Sequence, residues 1–473
     1  MLVCAMVVAA RAAVADPVSL GIRAPVAPFM WKDGKFLDEV KLDPIARDRW
    51  IFLEENIAHL GAAGGEWNIV DVRQWVDNNR QFHRLHRVVE VHEKHGVGVV
   101  FRILESPQIY DRLSESNSPE YGYDAGYFAW VRALAQAFKG RVSIFLIGNE
   151  AELDLAKSRS GLASSDRPMV LEYSQYGKVL ATAIKAIKSV DPTAKVANSG
   201  FSDKSIALAV AHDIWKSKGL SAAHDYWEAW KGRGGIKVEG KIGLFRLLND
   251  SDVQRRIAFV RDAIHLPMGS DLFQLHYYGG WRALEQTLKW IDAEMRAAGA
   301  ERPIIAAEVG YGLRTKRKRD SHGKMRRMLD LRYYSDLQHA SNTVKVFAIL
   351  FGHGINRALY WNIRDSEGTG RVARLFPSTA DPTLFKPTVA SRAFRVLSDT
   401  LSGARPAAGR IPAQAGIWEY RFAGKKDVSV IWSDGRDLTA LLSGAKEVWD
   451  LEGRPLAVRR GLPGVKGPVY AFW

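Results

Sequence analysis

From residue 17 to about residue 400, short runs of β-branched and other apolar residues alternate with longer stretches whose apolar positions recur every three or four residues. Eight of the short runs read as strands: Val18–Arg23, Glu66–Asp71, Val97–Ile103, Val142–Asn149, Ala194–Ser199, Asp271–Tyr277, Pro303–Glu308 and Arg357–Asn362. The intervening stretches carry helix punctuation. Asp43-Pro44 supplies a cap and a first-turn proline, after which Trp50, Leu53, Ile57 and Leu60 share one face. Asp124 opens a helix that runs through Phe138 and stops at Gly140, and Lys94-His95-Gly96 ends the helix before the third run. Parallel strands need helical crossovers, so eight strand–helix units in series predict an α/β fold, a (β/α)8 TIM barrel.

Two regions break the alternation. The stretch from about 200 to 270, between the fifth and sixth runs, is too long for one crossover helix and carries Trp215, Tyr226, Trp227 and Trp230, so an insertion is expected there. Its aromatics either pave extra ligand subsites or pack the insertion onto the barrel. After Leu401, Gly403, Pro406, Gly409 and Pro412 punctuate a linker, and Trp418–Phe422, Val428–Trp432, Lys446–Asp450 and Pro468–Trp473 read as short strands. The expected division is a leader at 1–15, a barrel at 16–401 and a small antiparallel, sandwich-like β domain at 402–473.

Composition narrows the class. In 473 residues, 47% are hydrophobic and 25% charged, which excludes a largely disordered chain. Cys4 is the one cysteine, so an internal disulfide framework, a CxxC pair and a cysteine zinc site are excluded. No apolar run reaches the roughly 18 residues of a spanning helix. The N-terminal apolar run ending at Ala13-Val14-Ala15 resembles an export signal with its cleavage site, which predicts a secreted or periplasmic protein.

Barrel proteins build their deep concave face at the C-terminal ends of the strands, so polar residues that close apolar strands are the candidates for chemistry. The fourth run ends Leu146-Ile147-Gly148-Asn149-Glu150 and the seventh reads Ile305-Ala306-Ala307-Glu308-Val309. Two carboxyl groups facing each other across a cavity can divide the cleavage of a glycosidic bond, one giving a proton to the leaving oxygen and the other attacking the anomeric carbon. Glu105, Asp203 and Asp365 also follow strands and are read as structural.

Asn149-Glu150 after the fourth strand and Glu308 on the seventh resemble the retaining glycoside hydrolases of clan A, the "4/7" barrels. Asp71-Val72-Arg73-Gln74-Trp75, the passage Gly96–Ile103 with Pro107, His276-Tyr277-Tyr278 and Trp361 resemble their second, third, sixth and eighth strand regions. A barrel followed by a β domain is most similar to family 39, with family 5 next. The resemblance implies Glu150 as acid/base, Glu308 as nucleophile, Asn149 on a substrate hydroxyl, Tyr278 on Glu308, and His276, Arg73 and Trp361 around the sugar. Arg102, closing the third strand, is the alternative to Arg73. One departure is Ala151 where the clan usually has proline.

The formal net charge is +15, and the segment Arg314–Arg327 alone carries +7 directly after Glu308. A positive field beside a cleft concentrates anions, so the expected partner is a polysaccharide or oligosaccharide, with acidic glycans as the candidate class. Nucleic acid fits poorly with an export signal. No cofactor or metal is expected, and the chain is expected to be a monomer. The competing readings are a carbohydrate-binding barrel without turnover and an anionic-polymer binder that uses the basic segment.

Overall fold

The computed structural model describes residues 16–23, 31–32, 35–36, 43–72, 82–103, 125–153, 173–230, 238–310, 315–319, 325–329, 335–361, 388–408, 416–458 and 467–473. The expected leader at 1–15, Arg73, Glu105, Pro107, Asp365 and part of the basic segment lie outside these residues.

All eight expected strands are present: β1 Ser19–Ile22, β2 Trp67–Asp71, β3 Gly98–Ile103, β4 Ile144–Ile147, β5 Lys195–Ala197, β6 Phe273–Tyr277, β7 Ile304–Val309 and β8 Arg357–Tyr360. They pair in parallel in the order β5-β4-β3-β2-β1-β8-β7-β6. Parallel bridges Ala197↔Leu272 and Phe201↔Leu275 join the two ends and close the barrel. Helices α1 Asp43–Ala62, α2 His83–Lys94, α3 Ala125–Ala137 and α4 Tyr173–Lys188 cross over between the first five strands.

Strand alternation sorts the side chains. Trp67, Ile69, Val100, Ile144, Leu146, Ala197, Ile305, Ala307 and Leu359 fill the barrel interior, whereas Leu20, Ile22, Val70, Phe101, Phe145, Leu275 and Tyr360 face the helices. Gly21 points inward, and a Cβ there would stand 2.6 Å from the Trp67 ring, so glycine makes the room that the indole fills. The next inward positions, one step toward the C-terminal ends, are polar: Arg23, Asp71 and Arg102.

The insertion comprises α5 Asp203–Lys218, α6 Leu220–Trp230, α7 Gly240–Leu248 and α8 Ser251–His265. Tyr226, Trp227 and Trp230 are buried; the Tyr226 hydroxyl lies 2.9 Å from Thr287 Oγ1 on the crossover helix after β6, and Trp230 stands against Gly279 just past β6. These aromatics therefore fasten the insertion to the barrel and do not pave a cleft. Helices α9 Trp281–Ala297, α10 Asp336–Gly352 and α11 Val389–Leu401 complete the outer layer. Among the described residues, no helix is long and apolar enough to cross a membrane.

The C-terminal unit is one five-stranded antiparallel sheet, with β9 Arg405–Ala408, β10 Ile417–Ala423, β11 Val428–Ser433, β12 Glu447–Trp449 and β13 Val469–Phe472 in the order β9-β10-β11-β13-β12. Two findings differ from the sequence expectation. The segment containing Pro406, read as linker, is the edge strand β9, a position proline tolerates because an edge leaves one side unpaired. The second face is covered by the short helix α12 Thr439–Leu442 and by Leu456, Val458 and Trp473, and not by a second sheet among the described residues. The other face packs on the barrel. Trp281 at the start of α9 stands perpendicular to Trp418 and Trp432, at 4.9 and 5.7 Å, and Lys345 of α10 lies 4.7 Å from the Trp281 ring. Burial, reinforced by Arg282, pulls the Lys345 ammonium down to about 8.

The basic segment forms a hairpin, 315–319 against 325–329, with Arg317 opposite Arg327 and Lys318 opposite Arg326.

Candidate active site

Seven strand ends converge on one cluster at the C-terminal face. From β3, Arg102 donates through Nη1 to both Glu308 Oε1 (2.6 Å) and Asn149 Oδ1 (2.7 Å), and through Nε to Asp71 Oδ1 (2.5 Å). From β1, Arg23 donates to Asp71 Oδ2 at 2.6 Å. Both guanidinium groups lie over the Trp361 ring, at 5.2 and 5.5 Å. Tyr278, just past β6, donates its hydroxyl to Glu308 Oε2 at 2.8 Å. His276, fully buried, sets Nδ1 3.1 Å from Glu150 Oε1 and 3.5 Å from Glu308 Oε2.

The structure thus brings together Glu150, Glu308, Asn149, His276, Tyr278, Trp361 and Arg102; Arg73 lies outside the described residues. It also adds residues that the sequence reading gave no role. Arg23 and Asp71 hold Arg102 in place. Their signal was available: each closes its strand in step with the inward positions before it, as Arg102 does.

The two carboxylates differ in setting. Burial pushes the Glu308 carboxyl up, but His276, Arg102 and the Tyr278 hydroxyl outweigh it and leave it below the ordinary carboxylate range. Asp71 behaves alike: burial raises it, and Arg102 with Arg23 bring it below its usual value. For His276, burial lowers the ring, yet Glu308 and Glu150 more than restore it, so its pKa stands above the usual histidine value. Glu308 is therefore an ionised, fully partnered group. Glu150 is more exposed and has His276 as its side-chain partner.

Glu150 sits in the left-handed region, φ 50°, immediately after the strand and two residues past Gly148, which is also left-handed at φ 87°. Such backbone is costly for a residue with a Cβ and is held here by neighbours. The Glu150 N–H donates to the Gly200 carbonyl at 2.6 Å, and the Ala151 N–H to Ser199 Oγ at 3.1 Å.

Gly200 lies against the site from behind. A Cβ at this position would fall 2.0 Å from His276 Nε2 and 2.6 Å from Gln274 Nε2. Gly200→Ala is expected to push the imidazole toward the carboxylates, with a stability loss of about 1–3 kcal/mol. A melting curve and the ring-proton NMR shifts of His276 check this; an unmoved ring would mean that the loop yields instead.

One oxygen or nitrogen from each of Glu150, His276 and Glu308 lies within 4.8 Å of the others. A cation could bridge such a trio in principle. Here both Glu308 oxygens already accept hydrogen bonds from Arg102 and Tyr278, and a dication would meet the Arg102 charge at close range. The arrangement suits proton exchange between a carboxyl, an imidazole and a bound molecule better than metal binding.

No family model matches the sequence, and no curated protein matches it. Among solved structures, a family 39 glycoside hydrolase from the gut symbiont Bacteroides cellulosilyticus WH2 aligns over 97% of this chain and 81% of its own, at 12% identity and a TM-score of 0.54. A family 1 β-glucosidase from Thermotoga maritima aligns over 81% of this chain and 97% of its own, at 13% identity and a TM-score of 0.48. The first of these likenesses agrees with the strand topology above: the chain folds as a (β/α)8 barrel followed by a small antiparallel β domain.

Proposed function

We propose that the chain is a retaining glycoside hydrolase that cleaves O-glycosidic bonds of a polysaccharide by double displacement. The observation that carries this reading is the pair Glu150 and Glu308, borne by β4 and β7, with carboxylate oxygens within 4.8 Å of each other. Retaining enzymes hold their two carboxyl groups about 5–5.5 Å apart, whereas inverting ones need about 6.5–9.5 Å to admit a water. The fold it shares with a family 39 glycoside hydrolase supports the same reading.

In the first step, Glu308 attacks the anomeric carbon as the bond to the leaving oxygen breaks, and that oxygen takes the proton of Glu150. A glycosyl ester on Glu308 results. In the second step, a water gives its proton to the Glu150 carboxylate and attacks the same carbon, which expels Glu308. Arg102 and Tyr278 keep the nucleophile ionised and aimed. Arg102 also fixes the Asn149 carbonyl oxygen, which leaves the Asn149 amide N–H free to bond the sugar hydroxyl beside the reacting carbon. Trp361 supplies an apolar surface under the sugar ring.

Two expectations test the reading. Proton donation contributes roughly 10²–10⁴-fold, so Glu150→Ala should lose about that much on oligosaccharides and little in the first step on dinitrophenyl glycosides. NMR of the fresh product should also show the anomer of the substrate. Release of the opposite anomer would refute double displacement.

For the substrate class, the hairpin after β7 supports acidic glycans. The hairpin sets Arg317 in register with Arg327 and Lys318 with Arg326, so basic residues are concentrated directly after β7, and a concentration of positive charge attracts polyanions. Hydrolysis of a uronate-bearing polymer should fall steeply between about 50 and 200 mM salt, while that of a neutral polymer stays level; equal salt responses would remove the acidic preference. The N-terminal signal pattern supports export. A barrel that binds glycan without turnover would show affinity with no product.

A further inference from the structure

Glu152 is the most deeply placed carboxyl near the cluster. It lies two residues past Glu150 in a single 3-10 turn, Ala151–Leu153, and is wholly buried, so it cannot touch a substrate. Its Oε1 accepts the Ser202 N–H at 2.6 Å, and the Ser205 hydroxyl stands beside the carboxyl for a second bond. With the bonds from Glu150 N–H to Gly200 and from Ala151 N–H to Ser199, three consecutive residues are laced to the loop after β5. That loop continues into Asp203, whose carboxylate faces the Tyr278 backbone N–H. The β5 loop therefore braces both the Glu150 turn and the residue that touches Glu308.

We propose that Glu152 is a positioning residue for Glu150, holding the acid/base carboxyl in its left-handed turn by clasping the β5 loop. The inference rests on the reading of Glu150 as acid/base. Burial, and then the nearby Glu150 charge, push the Glu152 carboxyl up to about 8, so at neutral pH it clasps the loop as a neutral acid. Ionised, it would be a wholly buried charge close to that of Glu150, which is costly.

The experiment compares Glu152→Ala, Glu152→Gln and Ser202→Pro. Glutamine keeps an oxygen that accepts the Ser202 N–H. Proline removes that N–H from the other side, and Ser202 already has φ −54°, within the range of a proline ring. Each variant is assayed on an oligosaccharide and on a dinitrophenyl glycoside, with circular dichroism to verify folding. A small misplacement of a reacting group can cost about 10²-fold. Glu152→Ala and Ser202→Pro should lose roughly tenfold to 10²-fold in kcat/KM, which reports the first step, on the oligosaccharide and under about threefold in kcat/KM on the activated glycoside, with Glu152→Gln recovering most of the loss. If folded Ala and Pro variants lose both substrates equally, or neither, Glu152 is a packing residue and the inference falls. If the unaltered protein cleaves no glycoside of either kind, the hydrolase reading itself falls, which is a different result.

Discussion

Glu308→Gln is expected to abolish turnover while leaving the fold and glycan affinity in place. Glutamine matches the shape of the carboxylate and can still accept from Arg102, but it cannot form the glycosyl ester. Removing a nucleophile in other hydrolases costs on the order of 10⁴–10⁶ in kcat, and the loss here should fall in that range. The same change removes one partner of a buried ion pair, so some stability is lost as well. Glu308→Gly with added azide separates chemistry from folding. The small anion can enter the vacated space and attack the anomeric carbon, giving a glycosyl azide of inverted configuration. Wild-type rates in a folded Glu308→Gln variant would end the assignment of this residue as nucleophile.

Arg102→Met should be the most damaging change outside the carboxylate pair. One guanidinium bonds Glu308, Asn149 and Asp71 and covers Trp361, so its loss leaves two buried carboxylates short of a cation. Breaking a buried pair from one side costs about 3–5 kcal/mol. Glu308 and Asp71 both titrate below their ordinary range in the folded protein. The stability they contribute is present above the unfolded carboxylate range, near pH 4, and is lost as pH falls through their depressed values. Without Arg102 that contribution shrinks, Glu308 titrates higher, and the acid limb of kcat/KM moves to higher pH. Arg102→Lys should rescue only part, because an ammonium cannot reproduce a planar fork that reaches three partners. A pH–rate profile and a melting curve read both effects. An unmoved acid limb in Arg102→Met would mean that His276 and Tyr278 alone keep Glu308 ionised.

The clustering of Arg23, Asp71 and Arg102 shows how much of this site is legible in one dimension. Each is the polar residue that follows two inward positions on an apolar strand, and period two is enough to say that all three face the barrel axis. Tyr278 and His276 obey the same count along β6, where Gln274, His276 and Tyr278 alternate with the buried Phe273, Leu275 and Tyr277. The insertion aromatics were not legible in this way. Tryptophan and tyrosine suit a sugar platform and a helix interface equally, and only their burial, with Tyr226 bonded to Thr287 of α9 and Trp230 set against Gly279 after β6, decides for the interface.

Glu308 shows where local counting stops. Ile305 and Ala307 point into the barrel, so strict alternation would put Glu308 on the outer face with Ala306. The pairing with both neighbours slips at this point: Leu275 faces Ala306 but His276 faces Glu308, and Ala358 faces Ala306 but Tyr360 faces Val309. This bulge turns Glu308 inward. Glu150 likewise depends on a left-handed turn that a loop from another strand holds in place.

By itself the sequence determined the number and order of the strands, the face presented by most of their residues, and the placement of carboxylates after the fourth and on the seventh. These follow from apolar periodicity and chain direction, which are local properties. Only the tertiary structure decided that Glu308 turns inward, that Arg102 spans three partners, and that Glu152 and Gly200 stand behind Glu150 and His276. Each of those depends on the register and closure of strands far apart in the chain, where packing forces choose among conformations that a short segment adopts at nearly equal cost.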